Sequence, residues 1–321
     1  MFWALVLLLV GLLLLWKGAD SLVAGAVGLA KKMGVSQLVA GLTVVAMGTS
    51  APEVAASIAA AISGKGDIAM GNVYGSNVAN LALIGGLVAI IRPLEVRAAT
   101  LRREIPAMLG VALLLWPVVD NLFVSRIDAV ILLLVFAVLT AYTVKTARVP
   151  AVAAPHDEAN TPFVASQAVG RDVLFVFFGV AALVIGAKAT VSGAVRVGTS
   201  VGLSDAFIGS TIIAIGTSLP ELVTCVVAAA KGHHDISVGN LVGSNIFNVV
   251  CVVGIAGLVH PFAITARFAG GLDYGIMITV SVAFALAAIV GGHVIRRASG
   301  GVLLVMYGAY LAYQLRSANP A

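Results

Sequence analysis

Two glutamates stand in apolar surroundings that offer a carboxylate no water. Glu53 closes the segment Gly48-Thr49-Ser50-Ala51-Pro52-Glu53, and Glu221 closes Gly216-Thr217-Ser218-Leu219-Pro220-Glu221. Of the 14 acidic residues, only these two fall near the middle of a long hydrophobic run. A carboxylate at the centre of a bilayer costs about 2.5–3.5 kcal/mol on insertion scales. No basic residue in either motif can neutralise it, so a bound cation or a proton is the expected counter-charge. The neighbours supply oxygen. Pro52 and Pro220 have no N–H, so the carbonyls of Gly48 and Gly216 lose their helical partners. Thr49, Ser50, Thr217 and Ser218 add hydroxyls. A second motif brings Ser76, Asn77 and Asn80, copied as Ser244, Asn245 and Asn248. Ser76 and Asn80, like Ser244 and Asn248, are four residues apart and share one helix face. Carboxylates, hydroxyls and free carbonyls are hard ligands that favour Ca²⁺ and Na⁺ over soft metals.

The two motifs belong to one duplication. Residues 41–86 and 209–254 align without a gap, 168 residues apart, with 20 of 46 positions identical. Apart from Ile68/Ile236, the shared residues are polar or small, not the aliphatic ones that any two membrane segments hold in common. They include Thr43/Thr211, Asp67/Asp235, Gly71-Asn72/Gly239-Asn240 and Gly75-Ser76-Asn77/Gly243-Ser244-Asn245. The same offset relates Gly11, Gly18 and Gly25 to Gly179, Gly186 and Gly193. The N-terminal run, lacking a basic leader, therefore reads as a retained span rather than a signal peptide.

The chain has 321 residues, of which 60% are hydrophobic and only 10% charged, and its mean hydropathy is +1.09. Those values exclude an ordinary soluble domain, for which about 25% charged residues are typical. Long runs rich in Leu, Val, Ala and Gly are helical spans, not barrel strands. The expectation is an all-α membrane protein with about ten transmembrane helices, at 2–29, 36–62, 68–91, 104–119, 126–146, 171–197, 204–230, 236–259, 272–291 and 299–316. They form a first repeat, 1–148, a linker, 149–169, and a second repeat, 170–319. Five spans is an odd number, so the repeats must enter the membrane from opposite sides, the inverted topology common in secondary transporters. The linker, with Pro150, Pro155 and Pro162, reads as a tether.

Lys and Arg orient the chain. Loops on the side opposite the N-terminus carry twelve, those on its own side five, and Lys17 and Lys188 lie within spans. The positive-inside rule then puts the linker in the cytoplasm and both termini outside. The same topology accounts for the +5 net charge without a nucleic-acid partner. No protein partner or cofactor is implied. Cys225 and Cys251 fall inside spans and read as small buried residues, not as a disulfide or metal site.

Other polar residues have plainer readings. Gly71, Gly75, Gly239 and Gly243 suit close helix packing. Asn72 and Asn240 could ligate or bridge helices. Asp20 and Lys188 suit packing or topology, His233, His234 and Asp235 a solvated turn, and Asp67 and Asp235 helix caps.

The doubled Gly-Thr-Ser-x-Pro-Glu and Gly-Asn-x-x-Gly-Ser-Asn motifs resemble the α-repeats of the sodium/calcium exchanger family, within the cation/Ca²⁺ exchanger superfamily, over most of the chain. The resemblance is to the prokaryotic type. It implies ten helices in inverted repeats, and Ca²⁺ extrusion driven by Na⁺ entry through a prokaryotic inner membrane. It also implies a ligand set of Glu53 and Glu221, Thr49, Ser50, Thr217 and Ser218, the carbonyls of Ala46 and Ala214, and Ser76, Ser244, Asn80 and Asn248. Several relatives carry Asp at the position of Asn248, so this chain has one ionisable group fewer and K⁺ co-transport is not expected. An H⁺-coupled exchanger on the same scaffold is the alternative reading, and a passive channel a remoter one. No nucleophile–base pair lies in the spans, so an enzyme is not expected.

Overall fold

The computed structural model describes residues 2–146, 169–202 and 214–318. Nearly all of the linker, the start of the span expected at 204–230, and Thr211 lie outside the described residues. Hydrophobic runs in which Leu, Ala and Val recur without alternation become helices: α1 (Phe2–Met33), α2 (Gln37–Thr49), α3 (Ala51–Ile62), α4 (Gly66–Ile91), α5 (Glu104–Val119), α6 (Arg126–Thr146), α7 (Val169–Ser200), α8 (Leu219–Ala230), α9 (His234–Val259), α10 (Leu272–Val290) and α11 (Arg297–Ala318). Six of them are long and apolar enough to cross a membrane, and α2 with α3 would make a seventh as one bent span. Trp3, Trp16, Leu134 and Phe177 point outward from the helices, as a lipid-facing surface requires.

The break between α2 and α3 bends the chain by 46°. Its cause is local. Pro52 occupies the first turn of α3, where a missing N–H is tolerated, and Ser50 leaves helical geometry with φ −84° and ψ 10°. Pro220 starts α8 in the same way after Ser218 (φ −90°, ψ 8°). Both breaks fall three residues before a glutamate. A second local irregularity recurs at equivalent places. Helix α4 widens into a π-turn over Ala79–Ile84 and α9 over Asn248–Val252. Such turns displace carbonyls from the regular ladder and are frequent at functional sites.

Packing places the polar stretches inside. Helices α1 and α7 lie against each other through their glycines. A Cβ at Gly18 would stand 2.9 Å from the Gly179 carbonyl, and one at Gly186 2.8 Å from the Leu15 amide nitrogen. Helices α4 and α9 are the most enclosed spans, and α9 lies close on α2: a Cβ at Gly239 would stand 2.7 Å from the Leu38 carbonyl, and one at Gly243 2.7 Å from the Leu42 carbonyl. Two short strand pairs tie the ends: β1 (Leu94–Glu95) pairs antiparallel with β4 (Val294–Ile295), and β2 (Phe123–Val124) with β3 (Phe262–Ala263). Each joins the segment before the linker to the segment after it.

The charged residues in turns do more than face solvent. The turn from α8 to α9 is tied down, contrary to a merely solvated loop. Lys231 pairs with Asp20, Arg97 with Asp235 at 2.5 Å, and His233 Nδ1 lies 3.0 Å from Gln37 Oε1. Arg92 donates to the carbonyls of Ala229 and Ala230, both at 3.2 Å. Asp20 is thus an ion-pair partner rather than a packing residue. Asp67 and Asp235 do not cap their own helices, whose N-cap positions are Lys65 and His233. Asp67 instead accepts from the Thr265 amide at 2.8 Å, across to the loop after β3.

Candidate cation site

The helix breaks and the polar faces of α4 and α9 meet in the interior. Glu53 and Glu221 are both fully buried, each in the first turn after its proline. A helix N-terminus carries partial positive charge, which favours a carboxylate there. Thr49, Ser50, Asn80, Ser244 and Asn248 are equally inaccessible, and Ser218 and Ser76 nearly so.

The contacts cross between the halves. Ser50 Oγ donates to Glu221 Oε1 at 2.8 Å and lies 3.1 Å from Ser244 Oγ. Thr49 Oγ1 donates to Asn240 Oδ1 at 3.2 Å, and Ser244 Oγ reaches the same oxygen at 3.4 Å. Asn240 Nδ2 in turn donates to Cys225 Sγ at 3.2 Å. Asn240 thus bridges α2, α8 and α9. Asn72, its counterpart, does the same work within its half, donating to the Glu53 carbonyl at 3.1 Å and to Ser57 Oγ at 2.9 Å.

Several oxygens are left over. Among the described residues, neither Glu53 oxygen has a hydrogen-bond partner, nor has Glu221 Oε2, Ser218 Oγ, Asn248 Oδ1 or either amide atom of Asn80. Buried polar atoms are almost always paired, so such a concentration around two carboxylates marks a place built for something else to bind. Ser76 Oγ donates back to the Asn72 carbonyl at 2.6 Å, which uses its proton and leaves its lone pairs free. The Ala46 carbonyl is not orphaned. It accepts from the Ser50 amide at 3.0 Å and from Thr49 Oγ1 at 3.4 Å, and a second ligand role would have to share it. Thr217 stands in the turn before α8, and Ala214 begins a short helical turn, Ala214–Gly216, next to the undescribed residues. Among the described residues no group of three or more His, Cys, Asp or Glu converges. Hydroxyl and amide oxygens must therefore complete any coordination around Glu53 and Glu221, which suits a hard cation.

The family model for the sodium/calcium exchanger protein matches residues 3–145 and 172–316. The chain belongs to the sodium/calcium exchanger family. Among curated relatives, the chain is 37% identical over 320 residues to the putative antiporter CaxA of Alkalimonas amylolytica, covering 97% of both chains. It is 34% identical over 339 residues to the sodium/calcium exchanger MaX1 of Methanosarcina acetivorans, covering 95% of this chain and 96% of that one. Its fold matches the solved sodium-calcium exchanger NCX_Mj with a TM-score of 0.82 at 29% identity, over 98% of this chain and 99% of that chain. The exchanger is thus a helical membrane protein of an antiporter family, and its relatives are transporters rather than enzymes.

Sequence reasoning missed two features of the exchanger's site. One is the bond of Ser50 to the glutamate of the other half, since a 171-residue separation leaves no local trace. The other is the partner of Asn77, a residue read from the sequence only as one more polar side chain of its motif, which accepts from Asn248 Nδ2 at 3.1 Å.

Proposed function

We propose that this protein is a secondary antiporter that extrudes Ca²⁺ in exchange for Na⁺. The observation that carries the reading is the pair of fully buried glutamates with unpartnered oxygens inside a shell of hydroxyls and amides. An isolated buried carboxylate charge is strongly unfavourable, and a divalent cation between two of them removes that cost. Two or more Na⁺ ions, each with fewer charges to satisfy, can replace it on the same oxygens. The proposed ligands are Glu53, Glu221, Thr49, Ser50, Thr217, Ser218, Ser76, Ser244, Asn80 and Asn248, with the carbonyls of Ala46 and Ala214.

The surrounding architecture is read as ten helices in two inverted repeats, 1–148 and 170–319, hinged by a cytoplasmic linker in an inner membrane with both termini outside. The doubled motif, the paired helix breaks and the paired π-turns support that division, and the Lys and Arg distribution supports the orientation. Inverted halves around a midplane site suit alternating access. Purified protein in sealed vesicles tests the function. An outward Na⁺ gradient should drive ⁴⁵Ca²⁺ uptake, and a pH gradient of equal size should not. Uptake driven by the pH gradient would make the protein an H⁺-coupled exchanger. Uptake that needs neither would make it a passive pathway.

A further inference from the structure

Asn77 and Asn245 hold the last place in the two Gly-Ser-Asn triplets, one residue on from Ser76 and Ser244 and three before Asn80 and Asn248. Both are buried, and both lie where α4 and α9 face each other. Asn248 Nδ2 donates to Asn77 Oδ1 at 3.1 Å, and Asn77 Nδ2 donates to the Asn245 carbonyl at 3.4 Å. A primary amide has one oxygen end and one nitrogen end. With its nitrogen committed to Asn77, Asn248 has only its oxygen left to present, and that Oδ1 is buried without a partner among the described residues. The bond to Asn77 therefore decides which end of the amide is available to a cation.

The other half holds the matching pieces. Among the described residues Asn80 has no partner for either amide atom. Asn245 turns its Nδ2 back to the Leu241 carbonyl at 2.7 Å, and its Oδ1 has no partner among them either. The leftover donor, Asn80 Nδ2, and the leftover acceptor, Asn245 Oδ1, are the equivalents of the two atoms bonded between Asn248 and Asn77. We propose that Asn77 and Asn245 are positioning residues, each orienting the amide ligand of the opposite half. Asn77 turns the Asn248 oxygen to the cation through the observed bond; the equivalent Asn80–Asn245 bond is open in this structure, and Asn245 would orient Asn80 on closing it. A cation needs oxygen on all sides, and an amide that offered NH₂ instead would repel it. The proposal rests on the reading of these asparagines as ligands, and it adds that the ligands are set in trans, across the interface between α4 and α9.

Double-mutant cycles on the purified full-length protein test it, with Ca²⁺ binding in Na⁺-free detergent solution read by calorimetry. N77A should weaken Ca²⁺ binding about tenfold, the scale of one lost hydrogen bond that holds a ligand. Because Asn77 acts through Asn248, N77A/N248A should bind no more weakly than N248A alone, and N245A/N80A no more weakly than N80A alone. The within-half pairs, N77A/N80A and N245A/N248A, should instead multiply their effects. Multiplying effects in either crossed pair, or saturation in the within-half pairs, would overturn the proposal and leave Asn77 and Asn245 as helix-packing residues. If an alanine variant fails to fold, N77S and N245S, which lose the amide but keep a small polar group, take its place in the same cycle. Glu53→Gln and Glu221→Gln serve as the reference. If they bind Ca²⁺ like the wild type, the cation site itself is misplaced. If they lose binding while the crossed pairs multiply, only the positioning role fails.

Discussion

Glu53 and Glu221 bear the same relation to their prolines and occupy equivalent copies, but they have unequal surroundings. Among the described residues, Glu221 has one oxygen held by Ser50 and Glu53 has neither side-chain oxygen held. If the proposed cation site is right, replacing either with Gln keeps the shape and removes one of the two charges that would face a divalent ion, so Glu53→Gln and Glu221→Gln should each reduce Na⁺-driven Ca²⁺ flux to near background in vesicles. Flux close to wild type in either variant would remove that residue from the site. Ser50→Ala probes the cross-half contact. A hydrogen bond to a charged group contributes about 1.5–3 kcal/mol, so apparent Ca²⁺ affinity should fall roughly ten- to a hundredfold with the fold intact. An unchanged affinity would mean that the Ser50–Glu221 bond is incidental to binding. At this scale the sequence was informative where chemistry is expensive. Two carboxylates in apolar runs need an explanation, and their duplicated neighbours named the oxygens around them. It was uninformative about direction. Whether Asn240 ligates or bridges, and that Ser50 serves the glutamate of the other half, depend on how α2, α8 and α9 pack, and residue types do not encode that.

The helices themselves were legible from hydrophobic run length, with ends displaced by a few residues, and the α2–α3 break from Pro52 after Gly48. The π-turns at Ala79–Ile84 and Asn248–Val252 were not. One extra residue in a turn changes neither length nor hydropathy enough to register. The glycines of α1 and α7 were read only as marks of the duplication, and the structure shows that they face each other in a close contact. A Cβ at Gly11 would lie 2.4 Å from Thr190 Oγ1 and 2.8 Å from the Gly186 carbonyl, whereas one at Gly110 meets nothing within 4 Å among the described residues. Gly11→Val should therefore lower the melting temperature of the detergent-solubilised protein, since overpacking costs typically about 1–3 kcal/mol. Gly110→Val should leave it nearly unchanged. Equal shifts would mean that α1 and α7 can separate freely. The α8–α9 turn gives a prediction for pH. Burial, and then the charges of Lys231 and Lys31, hold the His233 imidazole below its ordinary pKa. Between that lowered value and the ordinary one near 6.5, the unfolded chain binds more protons than the folded one, so stability must fall as pH drops through this window. Melting temperature against pH should show this acid-side loss in the wild type. His233→Gln, which has no proton to gain, should show less of it, and identical profiles would mean that the histidine is not strained by its cationic neighbours.

At the scale of the whole molecule, the argument turns on charge and symmetry together. A single-sided excess of Lys and Arg fixes how a membrane chain lies, and on the proposed ten-span topology twelve of them would fall in loops opposite the N-terminus against five on its own side. The structure adds that several of those basic residues are also structural. Lys32 pairs with Asp172 at 2.7 Å, Lys231 with Asp20, and Arg97 with Asp235, so the same residues proposed to orient the protein also tie its helices together. If the chain consists of two five-span halves, the linker and the C-terminus must lie on opposite sides, because five more spans separate them. Single-cysteine labelling in intact cells tests this directly. Cys225 and Cys251 are native but buried, so background labelling should be low in a folded protein. A cysteine at Ala159 should react with an impermeant maleimide only after the membrane is opened, and one at Ala318 should react at once. Labelling of both from the same side would require an even number of crossings between them. That result would overturn the inverted repeat, and with it the pseudo-two-fold relation that makes Glu53 and Glu221 equivalent in depth.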